Sequence, residues 1–200
     1  MARANLLMNT LLSSPYLLLF ARLTLGGIFL AGAVGKLTDP AGSVAAFRDR
    51  TWLPPLLRTV ASRWLPWAEA AAGVLLLLGL ALPGAALAAA ALLVVFTAVV
   101  LGDLRGGQAM PCHCFGRFSR ENAGPATVAR NGLLLALAAL LVWQPTPYLA
   151  LDGLFGAAQA AAGPPVVNAV PVVFLALIAV VAVVLGSTLL ATIRSFLRAF

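Results

Sequence analysis

The two cysteines of this chain lie one residue apart, in Pro111-Cys112-His113-Cys114-Phe115-Gly116, and the single histidine sits between them. A dithiol this close can exchange with a partner's disulfide. One thiolate attacks, a mixed disulfide forms, and the second thiol resolves it in an intramolecular step. A one-residue spacer closes a small, strained ring, and strain makes a disulfide easier to reduce, which suits a relay better than a structural staple. His113, Arg117 and Arg120 bring cationic or titratable groups near the sulfurs and favour the thiolate. The N-terminus of a helix following the loop acts in the same sense. Met110, Cys112, His113 and Cys114 are also soft ligands that suit Cu(I). Zinc needs four ligands in a tetrahedron, which adjacent residues rarely close alone. The sequence holds no second ligand cluster, so no metal site is assigned. Packing cysteines are the third reading. It is weakened by the glycines and proline of the surrounding loop, Gly106, Gly107, Pro111 and Gly116.

A second set of ionisable and polar residues lies in or at the edges of apolar runs: Arg22, Lys36, Glu69, Arg130 and Asn131. Such groups face a bundle interior or a polar cavity, or they snorkel to the interface. Glu69 is expected to pair with Lys36 or Arg130 across helices. Arg22, deeper in its run, is expected to point inward.

The elements that must position these residues are membrane helices. The chain is 62% apolar and only 10% charged, with a mean hydropathy of +1.01. Its apolar residues come in runs without strand alternation. Spans are expected at about 16–35, 67–82, 85–101, 126–143 and 166–190, as one integral membrane domain with the dithiol loop at 102–125. The expected fold class is all-α, a polytopic membrane helical bundle with a four-helix core and a fifth C-terminal transmembrane helix. Arg22 lies inside the first run and no small-residue cleavage site follows, so that run reads as a retained helix rather than a signal peptide. Residues 56–64 read as a short helix on the membrane surface, in a loop rich in arginine and tryptophan. Pro83-Gly84 reads as the turn of a tight hairpin. The net charge of +7 is spread over several loops, which fits orientation and anionic headgroups and gives nucleic acid no support as a partner.

The ordered features resemble the methylamine utilisation protein MauE family, within the wider MauE/DoxX group of redox-associated membrane proteins. They are Ala21-Arg22-Leu23 leading through Phe29 to Gly35-Lys36-Leu37, then Leu65-Pro66-Trp67-Ala68-Glu69 followed by Gly73. Cys112-His113-Cys114-Phe115-Gly116 and Arg130-Asn131 complete the set. The resemblance covers roughly the first 145 residues. It implies a cell (inner) membrane helical bundle that supports maturation of a disulfide-containing partner, in the family the methylamine dehydrogenase small subunit, together with a thioredoxin-like protein. A layout similar to quinone-coupled disulfide-forming membrane enzymes adds a quinone as candidate electron acceptor, by fold-level analogy. The departure is His113, where the family commonly has glycine. It removes conformational freedom from the turn and adds a titratable group beside the sulfurs.

The expected function is therefore a thiol–disulfide relay with Cys112 and Cys114 as the exchanging pair. His113, Arg130, Asn131, Glu69, Lys36 and Arg22 are supporting residues. The alternatives are a Cu(I)-handling membrane protein using Met110, Cys112 and Cys114, and a non-catalytic membrane scaffold. With five spans, Lys36, Arg48, Arg50, Arg58, Arg63, Arg105, Arg117, Arg120, Arg130, Arg194 and Arg198 fall on one side. The positive-inside rule then puts the N-terminus outside and the C-terminus in the cytoplasm. Disulfide maturation would instead favour cysteines on the outer face.

Overall fold

The structure is a computed structural model that describes residues 12–106, 124–144, 148–152 and 166–197, with side chains in the last helix through residue 186. Its helices are α1 (Pro15–Leu37), α2 (Pro40–Arg48), α3 (Pro55–Leu78), α4 (Leu82–Arg105), α5 (Pro125–Trp143) and α6 (Val170–Leu197), the last entered through a 3-10 turn at Val166–Ala169. Among the described residues there is no strand.

Prolines punctuate this order. Each of α1 to α5 carries a proline in its first turn, where the missing N–H has no intrahelical partner to lose and the fixed φ suits the helix. Pro83 is thus inside the start of α4 rather than in the hairpin turn. The reversal falls earlier, at Gly79, whose φ of 69° is left-handed. Gly79 and Leu80 donate their N–H groups back to the carbonyls of Leu76 and Leu75, at 3.2 and 2.9 Å, which closes the end of α3 as glycine-terminated helices do.

The region 37–66 is more helical than its polar composition suggests. Asp39 caps α2 by accepting the Gly42 N–H at 3.0 Å. The expected surface helix and second span are one continuous helix, α3, with Pro66 inside it. A proline there removes one backbone hydrogen bond to Ser62, and the helix continues regardless because its other turns are packed on α1.

Among the described residues, four segments are long and apolar enough to cross a membrane: Pro15–Leu37, Leu82–Arg105, Pro125–Trp143 and Val167–Gly186. Helix α3 is as long as α4, 24 residues, but Arg58, Arg63 and Glu69 lower its hydropathy. It runs antiparallel along α1, and their interface is the most extensive between helices among the described residues. Glycines make the approach close. A Cβ on Gly73 would lie 3.0 Å from the Gly26 carbonyl oxygen, and one on Gly26 would lie 2.8 Å from Leu77 Cγ. Small residues at such crossings favour membrane helix association, where packing rather than escape from water drives contact.

The core gathers Leu18, Leu25 and Phe29 of α1, Leu76 of α3, the alanine face of α4 (Ala85, Ala86, Ala89), and Leu134, Ala138 and Leu141 of α5. Helix α6 lies on the outer side of α1, with Val180 against Gly27. Its Phe174, Leu175, Leu177 and Ile178 are exposed, as lipid-facing side chains are. The chain is an all-α polytopic membrane bundle of four core helices with a fifth C-terminal helix added.

Helix directions define two ends. Helices α1 and α4 finish, and α3 and α5 start, at one end. The Gly79 turn and residues 148–152 close the other, where Leu151 N–H donates to the Leu78 carbonyl at 3.0 Å.

Candidate functional site

Lys36 sits in the last turn of α1, where the helix dipole favours a cation. The chain reverses directly after it, because Thr38 closes α1 onto the Val34 carbonyl and Asp39 starts α2. Glu69 lies on the face of α3 that also carries Gly73, so the close crossing with α1 brings it under Lys36. Lys36 Nζ donates to both Glu69 oxygens, at 2.7 and 2.8 Å. The two side chains are only 4% and 2% exposed. The Phe96 ring of α4 lies 5.4 Å from the same ammonium, a distance at which a ring face attracts a cation.

Arg130 and Asn131 enter from the first turns of α5. Asn131 Nδ2 donates to Thr97 Oγ1 of α4 at 3.4 Å, and that hydroxyl donates to the Leu93 carbonyl at 2.7 Å. Glu69, Arg130, Asn131, Phe96 and Gly32 line a small cavity of about 30 Å³ where four helices meet. That is room for a water molecule among polar partners. The structure therefore brings Lys36, Glu69, Arg130 and Asn131 together. Of the two partners expected for Glu69, Lys36 takes the direct ion pair.

Arg22 is elsewhere. It is buried, as expected, but at the opposite end of the bundle. Its guanidinium donates to the carbonyls of Tyr148 and Leu149, at 3.2 and 2.8 Å. Its role is to cap backbone that folds against the α3–α4 turn.

A second buried pair was not anticipated. Arg50 Nε donates to Asp103 Oδ1 and Oδ2 at 3.2 and 2.9 Å, and Trp52 Nε1 donates to Asp103 Oδ1 at 3.0 Å. Arg50 also donates to the Ala46 carbonyl at 2.6 Å. Asp103 is fully buried in the last turn of α4, and the Trp52 ring packs over Gly102. By sequence, Arg50 and Trp52 read as headgroup-zone residues. The signal that could have corrected this was Asp103 itself, a lone carboxylate closing a long apolar run.

The Cys112-His113-Cys114 motif lies outside the described residues. Its helical anchors do not. The segment 107–123 lies in sequence between the end of α4 and the start of α5, and both of those helix ends are at the end of the bundle that holds both ion pairs. Asp103 precedes it by a few residues, and Arg130-Asn131 follow it within two turns.

Carboxylates and cations paired inside apolar, membrane-length helices define an integral membrane protein with a polar centre at one end of its bundle. The comparisons with known proteins give that class a family. Residues 14–144 match the family described as Methylamine utilisation protein MauE. The chain is also 36% identical over 132 residues to Methylamine utilization protein MauE of Paracoccus denitrificans, covering 66% of this chain and 71% of that protein. The chain belongs to the MauE family of methylamine utilisation proteins. No solved structure matches it.

Proposed function

We propose that this protein is a thiol–disulfide relay in the cell (inner) membrane, with Cys112 and Cys114 as the exchanging pair. A thiolate of a thioredoxin-like partner attacks the Cys112–Cys114 disulfide. That bond breaks and a mixed disulfide forms. The partner's second thiol then displaces the cysteine of this chain. Two electrons and two protons pass from the partner's dithiol to Cys112 and Cys114, and the partner leaves oxidised, ready to form a disulfide in its own substrate.

The observation that carries this reading is the anchoring of both helices that hold the dithiol segment. Asp103 fixes the end of α4 through Arg50 and Trp52, and Asn131 fixes the start of α5 through Thr97. Both anchors adjoin the Lys36–Glu69 centre. A polar, rigid platform of this kind suits a segment that must dock a partner and exchange charge there.

The onward acceptor is a quinone by chemical class, which when bound supplies a two-electron, two-proton sink. An apolar pocket of about 210 Å³ between α2, α3 and α4 fits a quinone ring, with walls from Phe47, Leu57, Val60, Leu65 and Val99. Lys36 and Arg50, each held by its carboxylate, also line it.

In this reading the chain is a single integral domain with α3 as its second crossing. The N-terminus is outside, and the C-terminus and dithiol segment are cytoplasmic. An impermeant thiol reagent applied to intact cells tests the orientation: no labelling of Cys112 or Cys114 is expected, and labelling reverses it. The relay is tested with single variants. Cys112→Ser or Cys114→Ser leaves one thiol, whose attack on the oxidised partner's disulfide should give a mixed disulfide that no second cysteine of this chain can resolve, visible on a non-reducing gel and lost on reduction. Absence of an adduct in both variants, with full activity in the double variant, would leave a scaffold rather than a relay.

A further inference from the structure

A further cavity belongs to neither the Lys36–Glu69 centre nor the apolar pocket between α2, α3 and α4. It is a groove of about 660 Å³ between α2 and the first half of α3, closed at its inner end by the last turn of α1. Arg48, Arg58 and Arg63 line it together with Lys36, and no carboxylate does. Lys36 is spent on Glu69, and Arg48 has Asp49 as a loose, exposed partner at 3.5 Å. Arg58 and Arg63 have no carboxylate partner among the described residues.

Arg58 is held by one backbone contact. Its Nη1 donates to the Arg48 carbonyl at 3.0 Å, which fixes the guanidinium across the groove. Its Nε is buried and lacks a hydrogen-bond partner. A buried donor left unmade is costly, and an anion in the groove would satisfy it. The hydroxyls of Thr59 and Ser62 are already spent on backbone carbonyls, so the guanidiniums are the free donors.

The rest of the lining points to the carrier of that anion. Leu37, Val44, Pro66 and Trp67 supply apolar walls. Trp67 is 60% exposed and the neighbouring Trp64 is 63% exposed. Exposed indoles at the end of a membrane bundle mark the headgroup level. The dithiol segment is a poor occupant, since its Arg117 and Arg120 outnumber its one acid, Glu121. We propose that this groove is a binding site for an anionic phospholipid. Its phosphate lies between Arg58 and Arg63, and its first acyl carbons lie along Leu37, Val44 and Trp67.

The test uses the purified full-length protein in detergent. Phosphatidylglycerol and phosphatidylcholine compete for it, and retained lipid is read by native mass spectrometry. Phosphatidylglycerol should be preferred by at least about tenfold, a modest demand on two basic residues at an anionic surface. The preference should fall to about twofold or less in Arg58→Gln/Arg63→Gln, and most of it should survive in Arg58→Lys/Arg63→Lys, which keeps the charge. Should the double Gln variant fail to fold, Arg63→Gln alone serves, because that side chain is exposed, and a loss of part of the preference is expected. Equal retention of the two lipids by the native protein would overturn the proposal. So would an unchanged preference in a folded Gln variant, or soluble glycerol phosphate binding as tightly as the lipid.

Discussion

Replacing either partner of the Lys36–Glu69 pair should destabilise the protein, and the two replacements should not be equal. Each removes two charge-assisted hydrogen bonds, of 2.7 and 2.8 Å, worth roughly 1.5–3 kcal/mol apiece. Breaking a buried pair from one side costs about 3–5 kcal/mol by a separate route, because it strands an uncompensated charge. The asymmetry comes from Arg130. After Lys36→Met, Glu69 still shares its cavity with the Arg130 guanidinium, so the stranded anion keeps a cation nearby. After Glu69→Leu, Lys36 and Arg130 remain as two like charges whose fields already act on one another. Glu69→Leu should therefore be the worse variant, by about 1 kcal/mol or more.

The combined Lys36→Met/Glu69→Leu variant removes both charges. It should recover most of the loss, to within about 1 kcal/mol of the native protein. Unfolding of all four proteins in mixed micelles gives the coupling energy directly, expected at about 5 kcal/mol or more, since two losses of about 3–5 kcal/mol collapse to about 1. Two results would refute the reasoning. One is single variants within about 0.5 kcal/mol of native, the range of an ordinary surface change. The other is losses that simply add in the double variant. The same four proteins separate structure from function, because a stable double variant without relay activity would make the pair part of the mechanism.

Asp103→Asn keeps the shape but leaves Arg50 as a buried cation without its carboxylate, so a loss of about 3 kcal/mol is expected in the same unfolding assay. Trp52 fluorescence should change with it, because the indole's acceptor changes from a carboxylate to a neutral amide oxygen; an unchanged spectrum and stability would show that the latch carries no energy. Gly79→Ala should cost about 1–3 kcal/mol, because φ is 69° and the new Cβ would lie 2.6 Å from the Ala150 Cβ. Gly84→Ala, with open space at its Cβ, should be neutral or stabilising by up to about 1 kcal/mol, and equal effects at the two glycines would count against the turn geometry.

The apolar runs made the bundle legible, since length and hydropathy alone mark spans. Lys36 and Glu69 were legible as a pair because each is an isolated charge at the edge of such a run, with few partners available. The Arg50–Asp103–Trp52 latch was not. Arginines and tryptophans near span ends ordinarily face headgroups, and only tertiary contact shows that Arg50 turns inward while Arg63 does not. Arg22 illustrates the same limit. Its burial could be foreseen from its depth in the run, but its partners are carbonyls more than a hundred residues away, and carbonyls leave no trace in side-chain identity. The hairpin turn was displaced for a local reason, because Pro-Gly is a turn signal only when the proline is not already opening a helix.

The buried ion pairs also bear on how the chain's basic residues are to be counted. A positive-inside count weighs every lysine and arginine alike, yet Lys36 and Arg50 are held inside the bundle by Glu69 and Asp103. Their positions answer to packing, and so does that of Arg22 at the far end. Setting these three aside leaves Arg48, Arg58, Arg63 and Arg105 at the charged end, together with the half-buried Arg130. Among the described residues the opposite end then has no arginine or lysine at all. The imbalance survives the correction, and most of what survives lies on α2 and the first half of α3. These are the residues that wall the cationic groove. Attraction to anionic headgroups and retention on one side of the membrane thus draw on the same few guanidiniums. The deeper charges are left to hold together the helix ends between which the dithiol segment falls in sequence.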